Sequence, residues 1–437
     1  MIRSICTYPS ERYIHWRRFS GRICRHCGGP RYNCYMKSST QTILLAICAL
    51  VLSSCSIVRG LTTDGKYGPN IFSFEKREVD TIANGENTFQ FPIGKRADWI
   101  DTMHFHNTPH QCDYMTFLEA FTRESTTQGL LVIHNDSIVY ERYWGNFSAD
   151  RLATIFSVSK SITSLMCGIA VDDGYIRSID APVTDYLPEL KKKDPKWQKL
   201  TIRHLLDMRS GLDFDDTYEL NWKELRYLNA MARLNYGHNI WKQIQGLKFR
   251  CEPGTARRYE SMTAAILGIV IERASGKRFA DYLSERVWKP LGMEHPALIN
   301  IDSRKHDNEH TFGGISTTIK DLAKIGRLYL NNGVWDGKRI VSEDWIRQTA
   351  DCDTSYYGYH FNWYNINYEG FIRPQYSGYY ALGICEQVLY VNPYKNLVMV
   401  RIGLQNNCGT VIPVLFEQLS GPWPVAREFP YQTLRPE

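Results

Sequence analysis

The stretch Phe156-Ser157-Val158-Ser159-Lys160-Ser161-Ile162-Thr163-Ser164-Leu165-Met166 decides how this chain is read. Ile162, Leu165, Met166 and Ile169 follow the i, i+3, i+4, i+7 spacing of a helix with one core-facing stripe, and Gly174 supplies a stop. Ser157 then opens the helix, where unpaired N–H groups and the helix dipole favour negative charge. Lys160 follows one turn later on the same face. An amine beside a hydroxyl is what an activated serine nucleophile needs. The bland alternative is a helix-capping serine with a solvated lysine. A second Ser-x-x-Lys, Ser73-Phe74-Glu75-Lys76, sits in a polar stretch with no apolar helix behind it and is set aside.

Just before the helix, Gly129–His134 and Ser137–Tyr143 read as the arms of a β-hairpin turning at Asn135-Asp136. Beyond it, residues 175–300 are mostly helical in pattern. One helix at Leu200–Leu206 runs toward a turn at Gly211, and Met262–Ser275 is closed by Gly276. Trp288–Met293 reads as a turn, and Gly313–Thr318 leads into a helix at Ile319–Leu330. Gln387–Val391 and Leu397–Ile402 form a second hairpin around Asn392–Asn396. The order is strands, helices, strands. The expected fold is α/β (α+β): an antiparallel sheet shared by both ends of the chain, flanked by helices, with a helical subdomain at about 175–300 inserted between.

The chain has 437 residues, 43% hydrophobic and 22% charged, with formal charge +6. Seven arginines and one glutamate fall in residues 1–35, so the rest is nearly neutral and gives no basic surface for nucleic acid. Lys37 precedes an uncharged apolar run, Ile43–Leu52, that is too short to span a bilayer and fits a signal-peptide core. Leu52-Ser53-Ser54-Cys55 then resembles the lipobox of bacterial lipoprotein precursors. That resemblance implies lipidation at Cys55, a membrane-anchored product and a bacterial cell-envelope location, in the outer membrane or facing the periplasm. Translation is expected to start at Met36, with residues 1–35 a misassigned start, 36–54 the signal peptide and 55–90 a tether and N-terminal extension. The main domain is placed at 91–425.

Metal chemistry has weak support. Cys24-Arg25-His26-Cys27 with Cys34 has no second ligand pair, and His104, His106, His110 and Cys112 have no acidic partner nearby. Neither a metal nor an organic cofactor is expected. Six of the twelve cysteines lie beyond Cys55, at irregular spacings that assign no disulfide.

Several further stretches carry a family resemblance. They are Leu205-Leu-Asp-Met-Arg-Ser-Gly-Leu212, Glu252-Pro-Gly-Thr-Ala-Arg-Arg-Tyr-Glu-Ser261, Pro290-Leu-Gly-Met293, Gly313-Gly-Ile-Ser-Thr-Thr318 and Gly326-Arg-Leu-Tyr-Leu330. With Phe156–Ser161 they make the chain, over roughly residues 90–420, resemble the serine β-lactamase-related family. Within it, the similarity is nearest to the esterase and nylon-oligomer (aminohexanoate-dimer) hydrolase branch. The resemblance implies a β-lactamase/transpeptidase-like fold and a serine hydrolase that cleaves an ester or amide through an acyl-enzyme on Ser157.

Tyr259-Glu260-Ser261, 102 residues after Ser157, matches the family's second motif. It implies a Ser157, Lys160, Tyr259 catalytic set in which either Lys160 or Tyr259 is the base, with Ser261 bonding Lys160 or the substrate. Ala381-Leu382-Gly383 stands at the third motif, which would line the substrate, and the backbone N–H groups of Ser157 and Ile384 would form the oxyanion hole. Neither Ala381 nor Leu382 can supply the charge with which β-lactamases hold a substrate carboxylate. Gly383 reads as allowing close approach of a substrate. Glu386 reads as a charge near the cleft mouth or a solvated turn residue. The alternatives are a β-lactamase or D-alanyl carboxypeptidase, a non-catalytic penicillin-sensor-like protein, and a metal hydrolase at the histidines. Gly-x-Ser-x-Gly and His-x-His-x-Asp-His are both missing.

Overall fold

A computed structural model describes residues 56–64, 68–106, 115–216, 230–350, 358–365, 377–406 and 412–426. Cys55 and His110 lie outside them, as do Cys24 to Cys34, so the lipobox and the amino-terminal cysteine cluster have no structural counterpart here. The elements used below are α1 (Ser56–Asp64), β1 (Val79–Ile82), β2 (Ser125–His134), β3 (Ser137–Tyr143), β4 (Ala153–Thr154) and α2 (Val158–Asp172). They continue with α3 (Ile202–Leu206), α4 (Ala230–Tyr236), α5 (Ser261–Ser275), β5 (Ala297–Asn300), β6 (Ile315–Thr317) and α6 (Ile319–Leu330). Last come β7 (Tyr359–His360), β8 (Trp363–Asn365), β9 (Tyr379–Gly383), β10 (Gln387–Asn392), β11 (Leu397–Asn406) and α7 (Ile412–Ser420).

Asn135 and Asp136 both hold positive φ, 49° and 60°, the pair of left-handed residues that a two-residue hairpin turn demands. Asn396, at φ 49°, closes the second hairpin. The two hairpins join through β2 and β11, with Leu397 opposite His134 and Met399 opposite Val132. The sheet order is β3-β2-β11-β10-β9-β8-β7, and its strand pairs are antiparallel. Strands from before and after the intervening helices therefore share one sheet.

Successive side chains alternate between two apolar layers, as the pleat requires. Leu131, Ile133, Ala381, Leu389, Val398 and Val400 face the layer that contains α2. Leu130, Val132, Tyr380, Val388, Tyr390 and Met399 face Phe117, Phe121 and α7. With both faces covered, the strands carry apolar residues at nearly every position.

Two expectations change. The α2 stripe is in fact a helix buried on every side, from Val158 to Ala170. Its hydroxyls are mostly bonded: Ser161 donates to Asn362 O at 2.6 Å and Thr163 to Thr311 O at 2.8 Å. Gly168 lets it approach Trp345, whose ring would lie 2.5 Å from an added Cβ. The segment read as a tether is also built in. β1 pairs with β5, Val79 opposite Asn300, in a second sheet of order β1-β5-β6-β4. No described helix is long and apolar enough to cross a membrane.

Candidate active site

The loop between β4 and α2 aims Ser157. Phe156 holds φ +47°, a conformation costly for a bulky residue, and turns the chain from the small sheet into the helix. Lys160 is 1% exposed. Its Nζ donates to Ser157 Oγ at 2.8 Å and to Phe312 O at 2.7 Å. Among the described residues no carboxylate lies within ion-pair distance of it. Burial pulls the Lys160 ammonium down to about 8, opposed by the charge of Asp216. Ser157 and Lys160 line one cleft, together with Phe156, Phe312 and Ile384.

Tyr259 comes in from the turn before α5. Its ring centroid is 5.1 Å from Lys160 Nζ, and its ring meets Tyr359 edge-on at 5.9 Å. Burial pushes the phenol well above its usual range, aided by Tyr364, Tyr359 and Asp216; a hydrogen bond with the Ser157 side chain opposes the rise. The chain around Met208 holds this turn. Arg258 N donates to Met208 O at 2.9 Å, and Ser210 Oγ donates to the buried Glu260 carboxylate at 2.6 Å. Met208 and Gly211 take positive φ, so Leu205–Leu212 is a shaped buttress for Tyr259.

Ser261 does not bond Lys160. Its Oγ donates to Asp216 Oδ2 at 3.1 Å and its N–H to Oδ1 at 2.9 Å. Burial raises the Asp216 carboxyl, and Lys160 opposes the rise. Asp216 was not singled out from the sequence, since nothing in Asp213-Phe214-Asp215-Asp216 marks which carboxylate meets Ser261. Ser73, of the discarded Ser-x-x-Lys, does line the cleft, but Lys76 is exposed to solvent.

The third-motif strand β9 runs beside Ser157. An added Cβ on Gly383 would lie 2.4 Å from Ile155 O and 3.1 Å from Ser157 N. The glycine therefore serves approach of the strand to the Ile155–Ser157 backbone. Ala381 is fully buried in the core, and Leu382 packs in the layer on the far side of the sheet. Neither side chain lines the cleft, whereas Ile384 does. The pleat explains this, because alternate residues of a core strand leave only its end facing the site.

After Ile384 the chain makes a turn in which Cys385 and Glu386 both hold positive φ, 60° and 53°. Arg401, fully buried on β11, fixes it. Its guanidinium donates to Cys385 O at 2.8 Å, Glu386 O at 2.7 Å and Thr127 Oγ1 at 2.9 Å. Glu386 is buried rather than at the mouth, and its carboxylate accepts from Ile412 N at 3.1 Å, at the start of α7. Cys167, Cys251 and Cys385 are free thiols. His104 sits in an isolated bridge with Thr116, and no cluster of three metal-ligating side chains occurs among the described residues.

Comparison with known proteins gives this geometry a family. The beta-lactamase family model matches residues 119–403, from just before β2 into β11. The chain belongs to the beta-lactamase family. With the family comes the enzyme class, a serine hydrolase acting on amide or ester bonds. The 6-aminohexanoate-dimer hydrolase of Paenarthrobacter ureafaciens is 28% identical over 304 residues, 65% of this chain and 74% of that protein. A Bacillus anthracis structure provisionally named 6-aminohexanoate-dimer hydrolase superposes with a TM-score of 0.68 at 20% identity, covering 83% of this chain and 93% of its own. A class C beta-lactamase from Rhodobacter sphaeroides gives 0.52 at 18% identity, covering 70% and 97%. The β-lactamase/transpeptidase-like fold is thus shared across this beta-lactamase-family chain.

Proposed function

We propose that the protein hydrolyses an amide, with esters as faster model substrates, through an acyl-enzyme on Ser157. The observation that carries this is the buried Lys160 amine 2.8 Å from Ser157 Oγ in an open cleft. With its ammonium drawn down to about 8, Lys160 is in part neutral near neutral pH and takes the Ser157 proton as the serine attacks the carbonyl. Tyr259, its phenol held protonated, passes a proton to the leaving amine or alcohol. The N–H groups of Ser157 and Ile384 receive the oxyanion. Water then attacks the acyl-enzyme, with the same groups carrying protons in reverse.

The relative named for 6-aminohexanoate-dimer hydrolysis makes a short linear amide the first substrate class to try. The third-motif residues Ala381 and Leu382 place no cation in the cleft, which weighs against the β-lactamase reading. On the lipobox resemblance, we place the lipid anchor at Cys55 and the enzyme in the cell envelope.

The test is intact-mass spectrometry of residues 56–437, wild type and Ser157→Ala, with 6-aminohexanoate dimer, a short p-nitrophenyl ester and a β-lactam. An acyl adduct or turnover only in wild type is expected with the first two. Turnover that survives Ser157→Ala, or no adduct and no turnover with any reagent, overturns the mechanism. Preferential turnover of the β-lactam moves the substrate class to the β-lactamases.

A further inference from the structure

The cleft has a second cation that the catalytic set does not use. Arg77 lines it together with Ser157, Lys160 and Asn300. Arg77 precedes residues 119–403, so this side chain comes from outside the family-matched region. It reaches the cleft because β1 pairs with β5: Val79 faces Asn300, and Glu78 O accepts from Ile301 N at 3.0 Å. The register thus brings the turn carrying Arg77 beside Asn300.

The guanidinium is nine-tenths buried and only partly used. One terminal nitrogen donates to Asn235 O and Oδ1, at 3.2 and 3.1 Å, and the other to Asp64 Oδ2 at 2.6 Å. The Tyr236 ring packs under it at 4.8 Å, and Tyr236 Oη donates to the same Asp64 oxygen. These contacts clamp the group in place. They leave Arg77 Nε–H buried with no acceptor. Across the register, Asn300 is 4% exposed, and its Oδ1 also has no partner. Leaving a buried polar atom unpaired is costly, so two on residues that line one cleft mark a place prepared for a polar guest. Charges of both signs meet in this corner: Arg77 is paired with Asp64, whose Oδ1 is also buried without a partner, while Arg77 and Arg59 add to the burial that depresses the neighbouring His310 imidazole.

We propose that Arg77 and Asn300 form a carboxylate-binding subsite, so that preferred substrates carry a carboxylate on the part beyond the scissile bond. One carboxylate oxygen accepts from Arg77 Nε–H. The other accepts from the Asn300 amide, whose NH₂ end reaches the cleft by a half-turn of the side chain. The subsite supplies, from the N-terminal segment, the cation that Ala381 and Leu382 do not. It rests on the amide-hydrolase reading above, which leaves the substrate's far end undefined.

The test compares two substrates that differ at one end: 6-aminohexanoate dimer with its free carboxylate, and the same dimer capped as the primary carboxamide. Wild type is expected to favour the acid in kcat/KM by tenfold or more. The charge-balanced double variant Arg77→Gln, Asp64→Asn is expected to bring that ratio to near one. Equal kcat/KM for acid and amide in wild type, or a preference that persists in the folded double variant, overturns the subsite. Should the variant not fold, hexanoate and hexanamide are compared in wild type as competitive inhibitors of p-nitrophenyl acetate hydrolysis. Hexanoate is expected to inhibit at tenfold lower concentration, and equal inhibition overturns the proposal. Calorimetry of the acid dimer on Ser157→Ala separates the two readings. Carboxylate-dependent binding without turnover in wild type removes the hydrolase and keeps the subsite; turnover of both dimers at equal kcat/KM does the reverse.

Discussion

Among the described residues, Lys324 and Lys160 are the most deeply buried lysines, and they are opposites. Lys324, on α6, is ringed by Asp321 at 2.9 Å, Glu294 at 3.2 Å and Gly292 O at 2.9 Å. Lys160, on α2, has a hydroxyl and a carbonyl, and no carboxylate in ion-pair range among the described residues. Burial alone is common to both. What differs is the countercharge. A buried lysine with its own carboxylates holds structure together; one denied them is left ready to act as a base.

The largest expected effect would break the comparison outright. Lys160→Met should lower kcat by roughly 10³-fold or more, with the melting temperature kept or raised, because the change removes an unpaired buried charge. Lys324→Met should do the reverse. It leaves Asp321 and Glu294 without their cation and costs about 3–5 kcal/mol in denaturant unfolding, while kcat per folded molecule survives. If both variants lose activity and stability alike, the distinction falls.

Gly383→Ala comes next. Its Cβ would press on Ile155 O, moving the strand that carries Ile384 relative to Ser157. A fall in kcat of about 10²-fold is expected, with KM for a short ester little changed, since a lost oxyanion donor acts in the transition state. Arg401→Gln should act in the same direction through the Cys385–Glu386 turn. Adding Glu386→Gly, which relieves a positive φ, should restore part of kcat; a merely structural arginine would give no such rescue.

The pH dependence sharpens the same contrast. Activity should rise with pH through about 8, as Lys160 becomes neutral, and the rising limb should vanish in Lys160→Met. The native pKa lies below the unfolded one. Between about 8 and 10.5 the unfolded chain therefore binds more protons, and the Lys160 contribution to stability increases with pH over that interval. The smallest effect is at Asp216. Its charge holds Lys160 up, so Asp216→Asn should move the activity limb to lower pH by less than a unit or so, read from kcat/KM profiles.

Features decided locally were legible in the sequence. The Asn135-Asp136 turn, the Gly276 stop and the Ser157–Lys160 spacing each depend on neighbours within a few residues. The position of Tyr259 beside Lys160 was legible through its motif. The second sheet was not, because its strands run two to four residues and its partners are distant, as with Val79 and Asn300. Asp216, Arg401 and Arg77 escaped for the same reason: each is an ordinary charged residue whose role comes from a contact far along the chain. Leu382 was misplaced because a motif fixes position along a strand but not the face of the sheet.

The pairing of β2 with β11 has a consequence for biosynthesis. His134 waits for Leu397, about 260 residues later, and the two strands are the second and third of the seven in the sheet. A ribosome adding roughly 5–20 residues per second needs some 13–50 s to deliver the partner. During that interval Ser157, Lys160 and Tyr259 have all been made, yet the edge of β2 stands open to any other strand. Such high contact order makes for slow closure, and a nascent chain released short of β11 carries every proposed catalytic side chain without the sheet that positions them.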